Sequence, residues 1–181
     1  RQDVSPFSEI LKRNMQRISK LITDLLESSK ARELDKRECS VRDLLDAAIA
    51  SVHDRLELLH MKSSVEVGVG TASVAVDPEM IGVALTNLCI NAIEAMEEGN
   101  GLLLLRADMD QDHVRIRITD NGKGIPEENI QRLFQAFYSG RSGGMGLGLT
   151  SARSILNGHG VHLDVASVVG VGTTFTLTFP D

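Results

Sequence analysis

The stretch Asp120-Asn121-Gly122-Lys123-Gly124-Ile125 decides the fold of this chain, together with the segment before it. Residues Val114 to Thr119 alternate between apolar and polar side chains, which predicts a β-strand ending at Asp120. A carboxylate at a strand end can accept a hydrogen bond from an amino group on a ring, and the glycines after it let a flat ligand approach the backbone. Alone, the stretch is also a good turn sequence, so the other motifs must decide between the two interpretations.

Three further motifs accompany it, namely Asn87-Leu88-Cys89-Ile90-Asn91, Gly144-Met145-Gly146-Leu147-Gly148 and Gly170-Val171-Gly172-Thr173-Thr174. The two asparagines are four residues apart on a predicted helix, so both amides share one face, and an amide oxygen suits Mg²⁺. The glycine run leads into a predicted helix, and glycine-rich backbone at a helix N-terminus binds anions. Individually these could be surface asparagines and a flexible loop. As an ordered set they predict a nucleotide pocket.

The composition limits the classes of protein that fit. With 181 residues, 42% hydrophobic and 24% charged, the chain is long enough for one ordinary domain and an additional element. Its formal net charge of −6 argues against a general nucleic-acid surface. Cys39 and Cys89 lie outside any CxxC pair, which predicts reduced thiols in a cytoplasmic protein. No apolar stretch is long enough to predict a membrane-spanning helix.

The N-terminal residues have helical periodicity. Ser5 and Pro6 are typical of a helix start, and apolar residues then recur at spacings of four and three. They are Leu11, Met15, Ile18, Ile22 and Leu25, with Ile10, Leu21 and Leu26 widening the stripe. This stripe predicts a long helix of a four-helix bundle, which needs partner helices to bury it. The charged residues 31–39 then predict a connector.

Helices and strands are mixed irregularly after the connector. Helices are predicted after Ser40, from Pro78 to near Gly99 with Asp77 as N-cap, from Pro126 through Phe134, and from Leu147 to Leu156. Strands are predicted at Val65–Val67, Val74–Val76, Leu102–Ala107 and Val114–Thr119, with a closing hairpin of Val161–Ser167 and Thr173–Phe179. This order favours an α/β sandwich with a mixed sheet over a doubly wound parallel fold.

Together with Phe134-Gln135-Ala136-Phe137-Tyr138, the motifs resemble the N, G1, F, G2 and G3 boxes of the catalytic domain of sensor histidine kinases. The match spans about residues 74–180, and Arg17 to Leu26 is similar to the second helix of the family's dimerisation hairpin. The resemblance implies a Bergerat-type ATP-binding fold, shared with gyrases and heat-shock chaperones, preceded by a long bundle helix. It divides the chain into residues 1–38, hairpin helix and connector, and residues 39–181, the ATP-binding domain.

The resemblance also implies a role for each motif residue. Asn91 would bind Mg²⁺ with Asn87 beside it, and Asp120 would accept a hydrogen bond from the adenine amine. The other nucleotide contacts would be Gly122, Gly124, Ile125 and either Thr173 or Thr174 around the base, Tyr138, and Gly144, Gly146, Leu147 and Gly148 around the phosphates. ATP and Mg²⁺ are therefore the expected cofactors.

The segment between Tyr138 and Gly144 is short and resembles the nitrogen-regulation subgroup of these kinases. In that subgroup a basic residue faces the terminal phosphate, and Arg141 occupies the matching register. Arg141 is thus the candidate for stabilising charge on the γ-phosphate. The alternative is a solvated arginine of a surface loop. Met145 departs from the family pattern, because Thr or Ser is usual there.

Asn87 bears on the reaction. The corresponding motif of gyrases and heat-shock chaperones is Glu-x-x-x-Asn, in which the glutamate activates water. The amide of Asn87 cannot act as a general base in its place. We therefore expect phosphoryl transfer to a protein rather than hydrolysis. The family's acceptor is a histidine on the first hairpin helix, a place that none of the five histidines occupies. His53 belongs to a later helix and His159 fits a structural role, so this chain alone is expected not to phosphorylate itself.

The resemblance further implies a response-regulator receiver domain as partner and a homodimer through the bundle helix. The chain starts without a methionine, so we expect a piece of a longer cytoplasmic protein whose parent could be anchored to the inner membrane. Two other functions stay open: a degenerate kinase fold that only binds partners, and a serine kinase of the anti-sigma-factor type. Asn91 and Asp120 argue against the first, and Asn87 with the helical residues 5–30 argues against the second.

Overall fold

The computed structural model of the protein describes residues 34–71, 73–135 and 147–180. Its elements are β1 (Arg37–Ser40), α1 (Val41–Leu58), β2 (Lys62–Val67), β3 (Ser73–Val76), α2 (Pro78–Ala95), β4 (Leu102–Asp110), β5 (His113–Asp120), α3 (Glu127–Ile130), α4 (Gly148–His159), β6 (His162–Val168) and β7 (Gly172–Thr178). The predicted bundle helix lies outside the described residues. The division of the chain between residues 38 and 39 stays a prediction.

Five strands form one mixed sheet in the order β2-β4-β5-β7-β6. β2 is parallel to β4, and the other neighbouring strands are antiparallel. On β5, Ile116 and Ile118 are fully buried, whereas Arg115 and Arg117 point to the opposite face, as strand alternation requires. There Arg117 forms an ion pair with Asp108 of β4. The predicted mixed sheet and closing hairpin are confirmed.

Three helices, α1, α2 and α4, cover the apolar face of the sheet. α2 contacts both other helices and the sheet, which explains its broad apolar face of Ile81, Ala84, Leu85, Leu88, Cys89, Ala92 and Ile93. Asp77 accepts hydrogen bonds from the N–H groups of Glu79 and Met80 at 3.1 and 3.2 Å, and Pro78 follows it. This confirms the predicted helix start. The helix ends at Ala95 rather than near Gly99.

Two sequence-based predictions of local structure are wrong. The second half of the connector forms β1, which pairs antiparallel with β3 in a separate two-stranded sheet. Its outward positions are charged, so the apolar alternation that reveals a strand is absent. The helix expected through Phe134 stops at Ile130, because Leu133 and Gln135 donate to carbonyls three residues back and form tight turns.

Two further features agree with the sequence. Ser40 caps α1 through a 3.3 Å hydrogen bond from the N–H of Asp43. Cys39 and Cys89 are both unpaired thiols. Burial raises the pKa of the Cys89 thiol to about 12, which makes it an unreactive core residue. Among the helices of the described residues, none combines the length and apolar composition needed to span a membrane.

The central position of α2 predicts a contrast between two of its aliphatic side chains. Leu88→Ala removes a fully buried side chain and should lower the free energy of unfolding by about 2–5 kcal/mol. Val83→Ala, on the same helix with 49% of the residue exposed, should change it by no more than about 0.5 kcal/mol. Urea titration followed by circular dichroism measures both. Equal losses would contradict the placement of α2 at the centre of the helix layer.

Candidate functional site

The carboxylate of Asp120 lies at the end of β5 and is almost completely buried, with 3% of the residue exposed. Its Oδ1 accepts hydrogen bonds from the N–H groups of Gly122 at 2.8 Å and Thr173 at 3.2 Å. Its Oδ2 is buried without any hydrogen-bond partner among the described residues. Because buried polar atoms are nearly always paired, this free oxygen marks a place where a ligand donor is expected.

Burial also changes the acidity of this group. Loss of solvation raises the pKa of the Asp120 carboxyl above its usual value, and the N–H groups of Gly122 and Thr173 offset only part of that rise. Perturbed acidity of this kind is common at functional sites. A donor brought to Oδ2 by a ligand would stabilise the charged form and reverse the cost of burying it.

The glycines that follow Asp120 are required by contacts within the protein. A Cβ on Gly122 would lie 2.5 Å from the carbonyl oxygen of Ala95, and one on Gly124 would collide with the carbonyl of Val168. Gly124 also has a φ of +68°, which side-chain-bearing residues rarely adopt. The sequence-based explanation was close approach of a ligand ring. In the structure the glycines bring backbone close to backbone.

Hydrogen bonds attach this loop to two other parts of the fold. The N–H of Lys123 donates to the carbonyl of Ala95, at the end of α2, at 3.0 Å. The N–H of Gly170, in the β6–β7 turn, donates to the carbonyl of Lys123 at 2.8 Å. The loop after Asp120 therefore joins the end of the central helix to the closing hairpin.

Two residues that the sequence analysis did not select also position the loop. The side chain of Asn121 accepts from the N–H of Leu102 at 2.8 Å and donates to the carbonyl of Asn100 at 2.9 Å. The hydroxyl of Ser167 accepts from the N–H of Ile125 at 2.8 Å. Asn121 stood inside the quoted motif, but nothing in the sequence pointed to Ser167, because its partner is 42 residues away.

Asn87 and Asn91 are half-buried on α2, about two turns and one turn before Ala95, respectively. The start of α4 lies next to Asn87, because a Cβ on Gly148 would lie 3.6 Å from its amide oxygen. Leu147 occupies the N-cap position of α4 and has no polar group with which to cap the helix. The first N–H groups of α4 therefore lie near Asn87, where phosphate oxygens could accept from them.

The structure distinguishes the two threonines of the last motif. Thr173 is buried and lies opposite Asp120 in the β5–β7 ladder. The hydroxyl of Thr174 lies 3.0 Å from that of Thr119, and strand alternation places it on the other face of the sheet. Thr173, but not Thr174, thus shares a face with Asp120. Tyr138, Arg141, Gly144 and Gly146 lie outside the described residues.

His159 and His53, the two histidines considered in the sequence analysis, make their contacts outside this site. The Nε2 atom of His159 accepts from the N–H of Asp77 at 3.1 Å, and its Nδ1 is 2.8 Å from the carbonyl of Ile155. This buried histidine connects α4 to the start of α2, which confirms the structural role predicted for it. His53 is exposed on α1, and its Nε2 lies 3.4 Å from the carboxylate of Glu57.

The chain belongs to the family of histidine kinase-, DNA gyrase B- and HSP90-like ATPases, whose model matches residues 76–181. ATP is the nucleotide that this membership supports. Among individual proteins, the chain is 27% identical to sporulation kinase E of Bacillus subtilis over 98% of its own length and 24% of that protein. It is also 27% identical to sensor histidine kinase ZraS of Escherichia coli K12, over 96% of its own length and 37% of that protein.

Solved structures of the histidine kinase ThkA have the same fold. The catalytic domain of ThkA superimposes with a TM-score of 0.73 at 25% identity, over 81% of this chain and 95% of that one. ThkA in complex with the response regulator protein TrrA superimposes with a TM-score of 0.75 at 23% identity, over 99% of this chain and 52% of that one. The chain thus spans well under half of the curated relatives named above.

The raised pKa of Asp120 predicts that the ionised carboxylate lowers the stability of the fold. A carboxyl whose pKa is raised by folding destabilises the fold once it ionises, so stability should fall as pH rises through that pKa. Asp120→Asn removes the charge and keeps an oxygen for the two N–H groups. At pH 7 it should raise the free energy of unfolding by about 1 kcal/mol.

The gain from Asp120→Asn should disappear in acid, where the wild-type carboxyl is itself neutral. Urea unfolding of both chains over a series of pH values from 7 downward measures this difference. Asp54→Asn, on an exposed position of α1, is the matched control and should show no pH-dependent gain. A loss of stability on Asp120→Asn at pH 7 would mean that the buried charge is already compensated.

Proposed function

We propose that this chain is the ATP-binding catalytic domain of a sensor histidine kinase and that Asp120 recognises adenine. The observation that carries the proposal is the buried, unpaired Oδ2 of Asp120. The adenine amine is a donor that would satisfy it, whereas the 6-oxygen of guanine would repel it. Gly122, Gly124 and Ile125 belong to the loop after Asp120, and Thr173 lies opposite it, so these residues would surround the base.

The phosphates and the metal ion would bind between α2 and α4. Asn91, with Asn87 beside it, supplies amide oxygens, which are neutral hard ligands suited to a Mg²⁺ ion that also binds phosphate oxygens. Among the described residues, no group of three His, Cys, Asp or Glu side chains could hold a metal. Leu147 and Gly148 at the start of α4, with Gly144 and Gly146 before them, would bind phosphate oxygens through backbone N–H groups.

The reaction would be transfer of the γ-phosphate to a histidine on an upstream helix that this chain does not contain. Asn87 occupies the position at which the ATP-hydrolysing proteins of this fold have a glutamate. An amide cannot take a proton from water. The domain would then act mainly by positioning ATP and stabilising charge. Arg141, as in the short-segment nitrogen-regulation subgroup, would stabilise charge on the γ-phosphate.

Partners follow from the same proposal. A response-regulator receiver domain would take the phosphoryl group from the histidine, in keeping with the ThkA–TrrA complex. The parent protein would dimerise through the predicted bundle helix, with this domain in the cytoplasm. Its net charge of −6 disfavours nucleic acid as a partner.

Calorimetric titration with a non-hydrolysable ATP analogue tests the pocket. Asp120→Ala should weaken binding about 10- to 100-fold, the usual effect of losing a hydrogen bond to a charged group. Asn91→Ala should abolish the enhancement of binding by Mg²⁺ and leave binding without Mg²⁺ nearly unchanged. Asn157→Ala, an exposed asparagine of α4, is the control for both. No binding at millimolar nucleotide would reject the proposal in favour of a kinase fold that only docks partners.

Incubation with ATP labelled at the γ-phosphate tests whether the phosphoryl group is transferred to a protein or to water. The 181-residue chain alone should acquire no acid-labile label and should release phosphate slowly, because none of its histidines occupies the acceptor position and Asn87 replaces the glutamate that activates water in hydrolases. Adding a separate helical hairpin that carries an acceptor histidine should restore labelling, on the hairpin. Rapid multiple-turnover phosphate release would instead indicate a hydrolase, and label on a serine of an added protein would indicate a serine kinase.

A further inference from the structure

The hydroxyl of Ser167, near the end of β6, lies among groups from two other parts of the fold. It accepts from the N–H of Ile125 at 2.8 Å, in the loop after Asp120. It lies 3.0 Å from the carbonyl oxygen of Gly172 and 2.9 Å from the hydroxyl of Thr173, at the start of β7. Nothing in the proposed pocket yet uses this half-buried hydroxyl, although it touches both loops that would surround the base.

Strand register places Ser167 in one row with the carboxylate. Asp120 lies opposite Thr173 in the β5–β7 ladder, and Thr173 lies opposite Ser167 in the β7–β6 ladder. Side chains directly opposite one another on antiparallel strands share a face and are neighbours. Asp120, Thr173 and Ser167 therefore form a row across three strands, with Thr173 between the carboxylate and the serine.

Hydrogen-bond accounting sets the direction of the bonds in this row. A hydroxyl has one hydrogen to donate and two lone pairs that accept. Ile125 can only donate to Ser167, and the carbonyl of Gly172 can only accept from it. For all three contacts to be hydrogen bonds, Thr173 must donate its hydroxyl hydrogen to Ser167. That hydrogen is then directed away from Asp120, the other neighbour of Thr173 in the row.

We propose that Ser167 is a positioning residue for adenine recognition, because it holds the hydroxyl hydrogen of Thr173 and so keeps Oδ2 of Asp120 open for the amine. The proposal rests on the proposed function. In this conformation the Thr173 hydroxyl does not bond Oδ2, which is unpaired although the two residues lie opposite each other in the ladder. Without Ser167, the Thr173 side chain is free to rotate towards Asp120, so that its hydroxyl competes with the amino group of the base for Oδ2.

The test compares ATP with purine riboside triphosphate, which has hydrogen in place of the 6-amino group. The ratio of the two affinities measures the contribution of the amine alone. In the wild-type chain ATP should bind at least about tenfold more tightly. Ser167→Ala should reduce that ratio to about one to three, and Ser167→Thr, which retains the hydroxyl, should keep it. Thr119→Val, which removes a hydroxyl pair on the opposite face, is the matched control and should also keep it.

A double substitution separates positioning from a merely structural role. Ser167→Ala combined with Thr173→Val removes the competing hydroxyl, so the affinity ratio should recover towards the wild-type value even though both loops have lost contacts. Ser167→Cys, which is close in size and bonds weakly, should behave like Ser167→Ala and serves if the alanine variant does not fold. Thermal unfolding of every variant checks the fold.

Three outcomes would overturn the proposal, and they are distinguishable. If Ser167→Ala weakens both nucleotides equally and leaves the ratio unchanged, Ser167 only supports the loops. If the double substitution fails to restore the ratio, the Thr173 hydroxyl is not the competitor. If the wild-type chain binds both nucleotides equally or neither, the recognition of adenine by Asp120 fails, and the inference about Ser167 fails with it.

Discussion

The unequal environment of the two oxygens of Asp120 is the constraint on which the rest of the site depends. One oxygen is held by two backbone N–H groups, from Gly122 and Thr173, and the other is buried without a partner. Each N–H fixes a different segment, so the carboxylate determines where the loop after β5 and the start of β7 lie. A donor on a ligand would supply the hydrogen bond that Oδ2 lacks in the folded chain.

Backbone packing supports this arrangement from both sides. The loop after Asp120 donates to the end of α2 and accepts from the β6–β7 turn, and Gly122 and Gly124 leave no space for a side chain at either contact. Because α2 also carries Asn87 and Asn91, one helix connects the proposed base region to the proposed phosphate region. A displacement of the loop at Lys123 would therefore displace α2 and, with it, the two asparagines.

Much of this architecture could be predicted from local patterns, and the remainder depends on partners distant in the sequence. The alternation around Ile116 and the Asp77-Pro78 start are local signals, so β5 and α2 were predicted correctly. β1 was missed because its charged exterior hides a strand that only its pairing with β3 explains. Ser167 was missed because a serine in a strand has no local signature, and its meaning comes from Ile125 and Thr173. The choice of Thr173 over Thr174 likewise needed the register of β7.

The position of β7 has a consequence for how the protein is made. This strand is the last of the described elements along the chain, yet it lies inside the sheet, between β5 and β6. It also supplies Thr173, without which Asp120 loses one of its two N–H donors. A nascent chain emerging from the ribosome can form its helices early, but its sheet stays divided until β7 is released and pairs both with β6, made just before it, and with β5, made long before. Closure of the sheet and completion of the nucleotide pocket are thus a single late event in synthesis.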